Sequence, residues 1–119
     1  MSAAIIANLE KLLGGPRDGA LLRYSLGNEL LKAGDAPTAA MRFRESVERD
    51  PNYSAGWKML GKALAEAGNA AGALAAYEQG IVVAEARGDV QAQKEMAVFA
   101  KRLRKQLTGD PASDRSAGT

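Results

Sequence analysis

The sequence contains neither cysteine nor histidine. Their absence excludes disulfides, thiol nucleophiles, imidazole acid–base chemistry and zinc sites built on Cys or His ligands. Aromatic residues make up only 5% of the chain, while alanine is abundant, a balance that favours closely packed helices over a sheet. No apolar run is long enough to span a bilayer, because Asn8, Glu10 and Lys11 interrupt the N-terminal one. That segment also lacks a basic stretch ahead of its apolar residues, so it does not read as a signal peptide and a cytoplasmic location is expected. Neither sign of charge dominates: the net charge of +2 is too small to argue for nucleic acid. A phosphate-cradling loop is missing as well, since Gly14-Gly15 has no Lys-Ser or Lys-Thr downstream.

What remains is an ordinary soluble composition, 46% hydrophobic and 25% charged over 119 residues, the size of one domain. A chain this long buries roughly 60–70% of the surface its unfolded form exposes, enough for a core of its own. The informative feature is an internal repeat. Shifting the chain by 34 residues aligns Leu26-Gly27 with Leu60-Gly61, Leu30 with Leu64, and Ala33-Gly34 with Ala67-Gly68. The same shift brings Asp35 to Asn69, Ala39 to Ala73, Phe43 to Tyr77 and Val47 to Ile81. Each copy reads as two helices joined by a tight turn. Gly34 and Gly68 can take the left-handed conformation that ends the first helix, and Asp35 and Asn69 can cap the second. Gly27 with Ala39, and Gly61 with Ala73, are small where the two helices should approach, and Pro51 cannot continue a helix and so separates the copies.

These residues carry a resemblance. Trp57, Leu60-Gly61, Leu64, Gly68-Asn69, Ala73 and Tyr77 match the pattern of the tetratricopeptide-repeat (TPR) family, as do Leu26-Gly27, Leu30, Gly34-Asp35, Ala39, Phe43 and Asp50-Pro51-Asn52. The chain resembles a small bacterial-type, two-repeat member. Departures are Arg23 where the first repeat would carry an aromatic, Gly80 at a usual alanine, and Ala84-Glu85 in place of Asp-Pro, which predicts a last repeat helix running past its normal end. The resemblance implies an all-α superhelix of antiparallel helix pairs with about six helices. Its expected divisions are an N-terminal capping helix at 1–15, repeats at 20–53 and 54–87, a C-terminal capping helix at 88–107, and a disordered tail at 108–119. Ile5, Ile6, Leu9, Leu12 and Leu13 recur at helical spacing for the first cap. Val90, Met96, Val98-Phe99 and Leu103 are expected to form the apolar side of the last, with Lys94, Lys101, Arg102, Arg104 and Lys105 outside.

The resemblance also implies a function: family members bind peptides on the concave face lined by the first helix of each repeat. Repeat position puts Leu21, Tyr24, Asn28, Leu31 and Lys32 on that face, followed by Ala55, Lys58, Lys62, Ala65 and Glu66, with Met59 at its edge. Lys58 and Lys62, four residues apart, share one helical side. With Tyr24 and Asn28 they suit an acidic stretch or a C-terminal carboxylate. Some relatives hold a peptide's terminal carboxylate with Lys, Asn and Arg residues spread over three repeats. Here only Asn28 matches that set, while Tyr24, Met59 and Ala55 stand where charged or amide residues would be needed, so binding of that type is not expected.

Other features read more plainly. The Lys101-to-Lys105 cluster sits where a helix C-terminus favours cations and lacks interleaved aromatics beyond Phe99, so nucleic acid is not expected as a partner. Arg87-Gly88-Asp89 spells an adhesion tripeptide but reads as a helix break followed by a cap, and Trp57 and Tyr77 read as core. The expectation is therefore a non-catalytic protein-interaction module without cofactor, metal or membrane partner, monomeric or weakly dimeric. The alternative is a structural subunit that self-associates or packs in a larger assembly through its terminal helices.

Overall fold

The computed structural model describes residues 2–109, so the tail expected at 108–119 lies, from residue 110 onward, outside the described residues. Six helices and no strand occur among the described residues: α1 (Ser2–Glu10), α2 (Ala20–Lys32), α3 (Ala36–Arg49), α4 (Ser54–Glu66), α5 (Ala70–Arg87) and α6 (Val90–Thr108). Each packs chiefly on its neighbours in sequence, and α4 also touches α2 and α6. The stack is accordingly elongated, 52 × 29 × 19 Å.

The corner between α2 and α3 shows how the sequence sets the geometry. Gly34 adopts a φ of +87° that an L side chain rarely takes. There its N–H donates to the Leu31 carbonyl at 3.0 Å, while the Asp35 N–H reaches the Leu30 carbonyl at 2.9 Å. This pair of bonds satisfies carbonyls that the helix end would otherwise orphan. Asp35 then caps α3 by accepting the Thr38 N–H at 3.3 Å. The α4–α5 corner repeats the arrangement at Gly68 (φ +86°), with Asn69 accepting the Gly72 N–H at 2.8 Å.

Between paired helices, glycine makes room for a ring. A Cβ on Gly27 would lie 2.6 Å from Phe43, and one on Gly61 would lie 2.5 Å from Tyr77. Both rings are buried, as are Ala39 and Ala73 beside them. The sequence paired each glycine with an alanine; the structure shows that the aromatic of the second helix fills the space.

Arg23, the residue standing in place of an aromatic, is an ionic hub. Its guanidinium donates to Asp18 at 2.6 and 3.0 Å and to Glu45 at 2.8 Å, and Arg42 reaches the same Glu45 oxygen at 3.0 Å. The α1–α2 connection, α2 and α3 are thus tied together. Hydrogen bonding to Arg23 holds the Asp18 carboxyl far below the usual carboxylate range. Burial raises Glu45, but its bonds to Arg23 and Arg42 outweigh burial and leave it lowered.

Both ends of the chain depart from expectation. Helix α1 ends at Glu10 and continues as turns to Gly14, leaving Ile5 and Leu12 exposed while Ile6, Leu9 and Leu13 are half-buried. Helix α6 buries Ala92, Met96, Ala100 and Leu103, whereas Val90 and Val98, expected on its apolar side, are 54% and 48% exposed. The cause is a shift of register. Helix α4 starts 34 residues after α2 (54 − 20), but α6 starts 36 after α4 (90 − 54). With no Asp-Pro to stop it, α5 runs for 18 residues against 14 for α3. Ala92, Met96 and Ala100 then match Gly56, Leu60 and Leu64, all buried in α4.

Two outcomes follow from this packing. Gly27→Ala should lower stability by about 1–2 kcal/mol in urea unfolding, because overpacking outweighs alanine's ~1 kcal/mol better helix propensity; an unchanged midpoint would contradict the close approach. Asp18 and Glu45 both titrate lower folded than unfolded, so their contribution is complete above the carboxylate range and drains as pH falls below about 5. Asp18→Asn should flatten that acid slope in urea midpoints measured against pH, and an unaltered slope would contradict the hub.

Candidate functional site

The first helices of the two pairs, α2 and α4, lie side by side, and α6 extends the same row beyond α4. Two depressions open along it. The larger, about 350 Å³, is lined by Lys58, Met59 and Lys62 of α4, Tyr77 of α5, and Glu95 and Phe99 of α6. Its neighbour, about 220 Å³, is lined by Asn28, Leu31 and Lys32 of α2 and by Met59, Lys62 and Glu66 of α4. Met59 and Lys62 belong to both, so they form the ridge between them. Past Lys58 and Glu95 the surface continues into a more polar hollow with Ser54, Ala55 and Asp89.

Six of the residues expected on this face are therefore drawn together: Asn28, Leu31, Lys32, Lys58, Lys62 and Glu66. Leu21 and Tyr24 line neither depression. Leu21 is 74% exposed near the start of α2. Tyr24 packs edge-on against Phe43 and Tyr53, with ring centroids 5.7 and 5.1 Å away, so its ring supports the α2–α3 packing.

The floor of the larger depression is an aromatic pair. Tyr77 and Phe99 lie 5.4 Å apart, and Tyr77 is buried with its hydroxyl pushed up to about 12 by desolvation and by the charge of Glu66. Half-buried Phe99 and Glu95, four residues apart on α6, were missed on this face by sequence reasoning. Their spacing was visible, but without the shifted register nothing aimed them at α4. They matter electrostatically, because Glu95 pairs with Lys58 at 3.8 Å. Similarly, Lys32 pairs with Glu29 at 3.2 Å. The charges of these two expected lysines are thus partly answered from within the chain, while Lys62 and Glu66 enter no hydrogen bond or ion pair among the described residues.

Trp57, expected in the core, is half-buried and packs against it at the margin: its indole N–H donates to the Pro51 carbonyl at 2.8 Å, and it lines an open hollow with Arg44, Ala75 and Gln79. No group of acidic residues able to hold a metal ion is present among the described residues. No helix among them is long and apolar enough to cross a membrane. The face thus presents two mainly apolar hollows bordered by the charged side chains of Lys32, Lys58, Lys62, Glu66 and Glu95.

No family model matches the chain. A TPR repeat-containing protein of Pseudomonas aeruginosa is 54% identical to it over 99 residues, covering 83% of this chain and 94% of the relative. Among solved structures, a protein of Bordetella parapertussis determined in solution is 39% identical with a TM-score of 0.72, covering 86% of this chain and 89% of the other. A tetratricopeptide repeat domain protein of Salinibacter ruber is 33% identical with a TM-score of 0.66, covering 74% and 88%.

Proposed function

This chain belongs to the tetratricopeptide-repeat family, and from that premise we propose that it is a non-catalytic adaptor that binds a peptide segment of a partner protein along the α2–α4–α6 face. Family membership implies a protein-interaction module in general terms; repeat folds serve many biological roles, so the face itself must support the finer reading. The observation that carries it is the pair of hollows sharing the Met59–Lys62 ridge, with Leu31, Tyr77 and Phe99 as apolar walls and lysines at the rim. An extended or helical segment laid across α2, α4 and α6 places one side chain in each hollow, and a carboxylate on it meets Lys62. The face is short, which favours a dissociation constant of about micromolar order.

A second reading, self-association through the terminal helices, draws on the exposed Val90, Val98 and Leu107 of α6. Light scattering that shows mass rising with concentration, insensitive to substitutions on the α4 lysines, would mark that reading.

The test is a pull-down from the source cells with wild type and the Lys58→Glu/Lys62→Glu double variant, read by mass spectrometry. Both substitutions are at the rim and remove at most the Lys58–Glu95 ion pair, so the melting temperature should stay within about 5 °C of wild type, the order expected of two surface changes. The expected result is a partner recovered by wild type and lost with the variant; equal recovery by both would sink the assignment of binding to this face.

A further inference from the structure

The charges around the two hollows are balanced and ordered. Lys58 is answered by Glu95, which lines the larger hollow with it, and Lys32 of the smaller hollow is answered by Glu29. Of the charged residues lining the two hollows, Lys62 and Glu66 are the cation and the anion that form no hydrogen bond or ion pair among the described residues. They stand four residues apart on one side of α4, yet no ion pair forms between them. Lys62 borders both hollows, whereas Glu66 borders only the smaller.

This order disfavours a run of acidic residues. A carboxylate over Lys62 gains an unanswered cation, but a second one displaced toward α6 meets Glu95. Displaced toward the end of α4 it meets Glu66, and like charges brought together cost affinity and reject the partner. A cation beside Glu66 gains instead. Apolar side chains supply anchors on either side of the Met59–Lys62 ridge: Tyr77 and Phe99 in the larger hollow, Leu31 in the smaller.

Resting on the peptide-binding reading above, we infer that the α2–α4–α6 face selects a segment of mixed charge. The segment carries an apolar residue for the Tyr77–Phe99 hollow, one carboxylate for Lys62, and one basic residue for Glu66. The charge pair fixes the direction of the segment, because reversing it sets like charges against Lys62 and Glu66. Glu95 narrows the choice from outside the repeats by occupying Lys58. Partner affinity then depends on the arrangement of charge rather than on its total.

The experiment is selection of displayed random heptapeptides on the full chain, followed by fluorescence titration of one selected peptide synthesised with its C-terminus amidated. Selected sequences should converge on one acidic and one basic residue beside an apolar one. Lys62→Gln should weaken the peptide by about two- to five-fold and abolish its preference for Glu over Gln at the acidic position. Glu66→Gln should do the same for Lys over Gln at the basic position, and Glu95→Gln should admit a second acidic residue in a fresh selection. Convergence on an acidic run, dependence on a free terminal carboxylate, or acidic and basic preferences untouched by these variants would each overturn the inference. Met59→Asp separates the two levels. Peptides that lose binding to it but show no paired charges sink this inference alone. Peptides that bind it unchanged, or a selection that enriches nothing, sink the groove reading and this inference with it.

Discussion

The close approach of paired helices through Gly27 and Gly61 is the constraint on which the rest of the structure depends. A ring from the second helix of each pair occupies the place where any other residue would carry a Cβ. Because Phe43 and Tyr77 enter there, each pair behaves as one rigid unit, with Leu26 and Leu60 completely buried beside the rings. Gly80 extends the same logic to the third layer, where a Cβ would run into Met96 of α6 and the Trp57 Cβ. With each pair locked, the outer sides of α2, α4 and α6 are left side by side, and the Met59–Lys62 ridge with its two hollows is the consequence. The face is a by-product of how the helices must pack.

At the corners, polar groups fix what packing alone would leave loose. Asp35, Asn69 and Asp89 each accept a backbone N–H at the start of a helix. Asp89 does a second job: it accepts the hydroxyl of buried Ser54 at 3.0 Å, joining the start of α4 to the start of α6. That bond holds α6 in the position that brings Glu95 opposite Lys58. At the other end Ser46, buried in α3, donates to the Ala20 carbonyl at 2.8 Å, and the Arg23 hub ties α2 to the chain preceding it. A buried hydroxyl or guanidinium left without such partners would cost more than the bond yields, so these contacts specify one arrangement of the stack.

Much of this was legible in the sequence. The 34-residue spacing and the Gly-Asp and Gly-Asn corners carried the all-helical class and the helix pairs, because each is a local signal with one physical meaning. Six of the expected face residues meet around the two hollows for the same reason: their positions follow from helical spacing within a correct register. The rest needed distances along no local pattern. Arg23, Asp18 and Glu45 are charged residues scattered over two helices and a connection, and only folding shows them to be one network. Apolarity alone points Val90 and Val98 to the buried side of α6; the missing Asp-Pro signals a longer α5, but not that the extra length slips the register of α6 by two residues. The same slip concealed Glu95 and Phe99. Repeat position points Tyr24 to the α2–α4 face, but its neighbours Phe43 and Tyr53 draw the ring into the packing between helices.

The most direct measurement of the central claim is site-specific crosslinking in the source cells. A photoreactive amino acid would replace Met59 on the ridge between the hollows, and in a separate variant Met41, which is 48% exposed on α3. Binding along the α2–α4–α6 face should give a discrete crosslinked partner from position 59 that position 41 does not give. A partner crosslinked from position 41 and absent from position 59 would contradict it and place binding on the other helices of the stack.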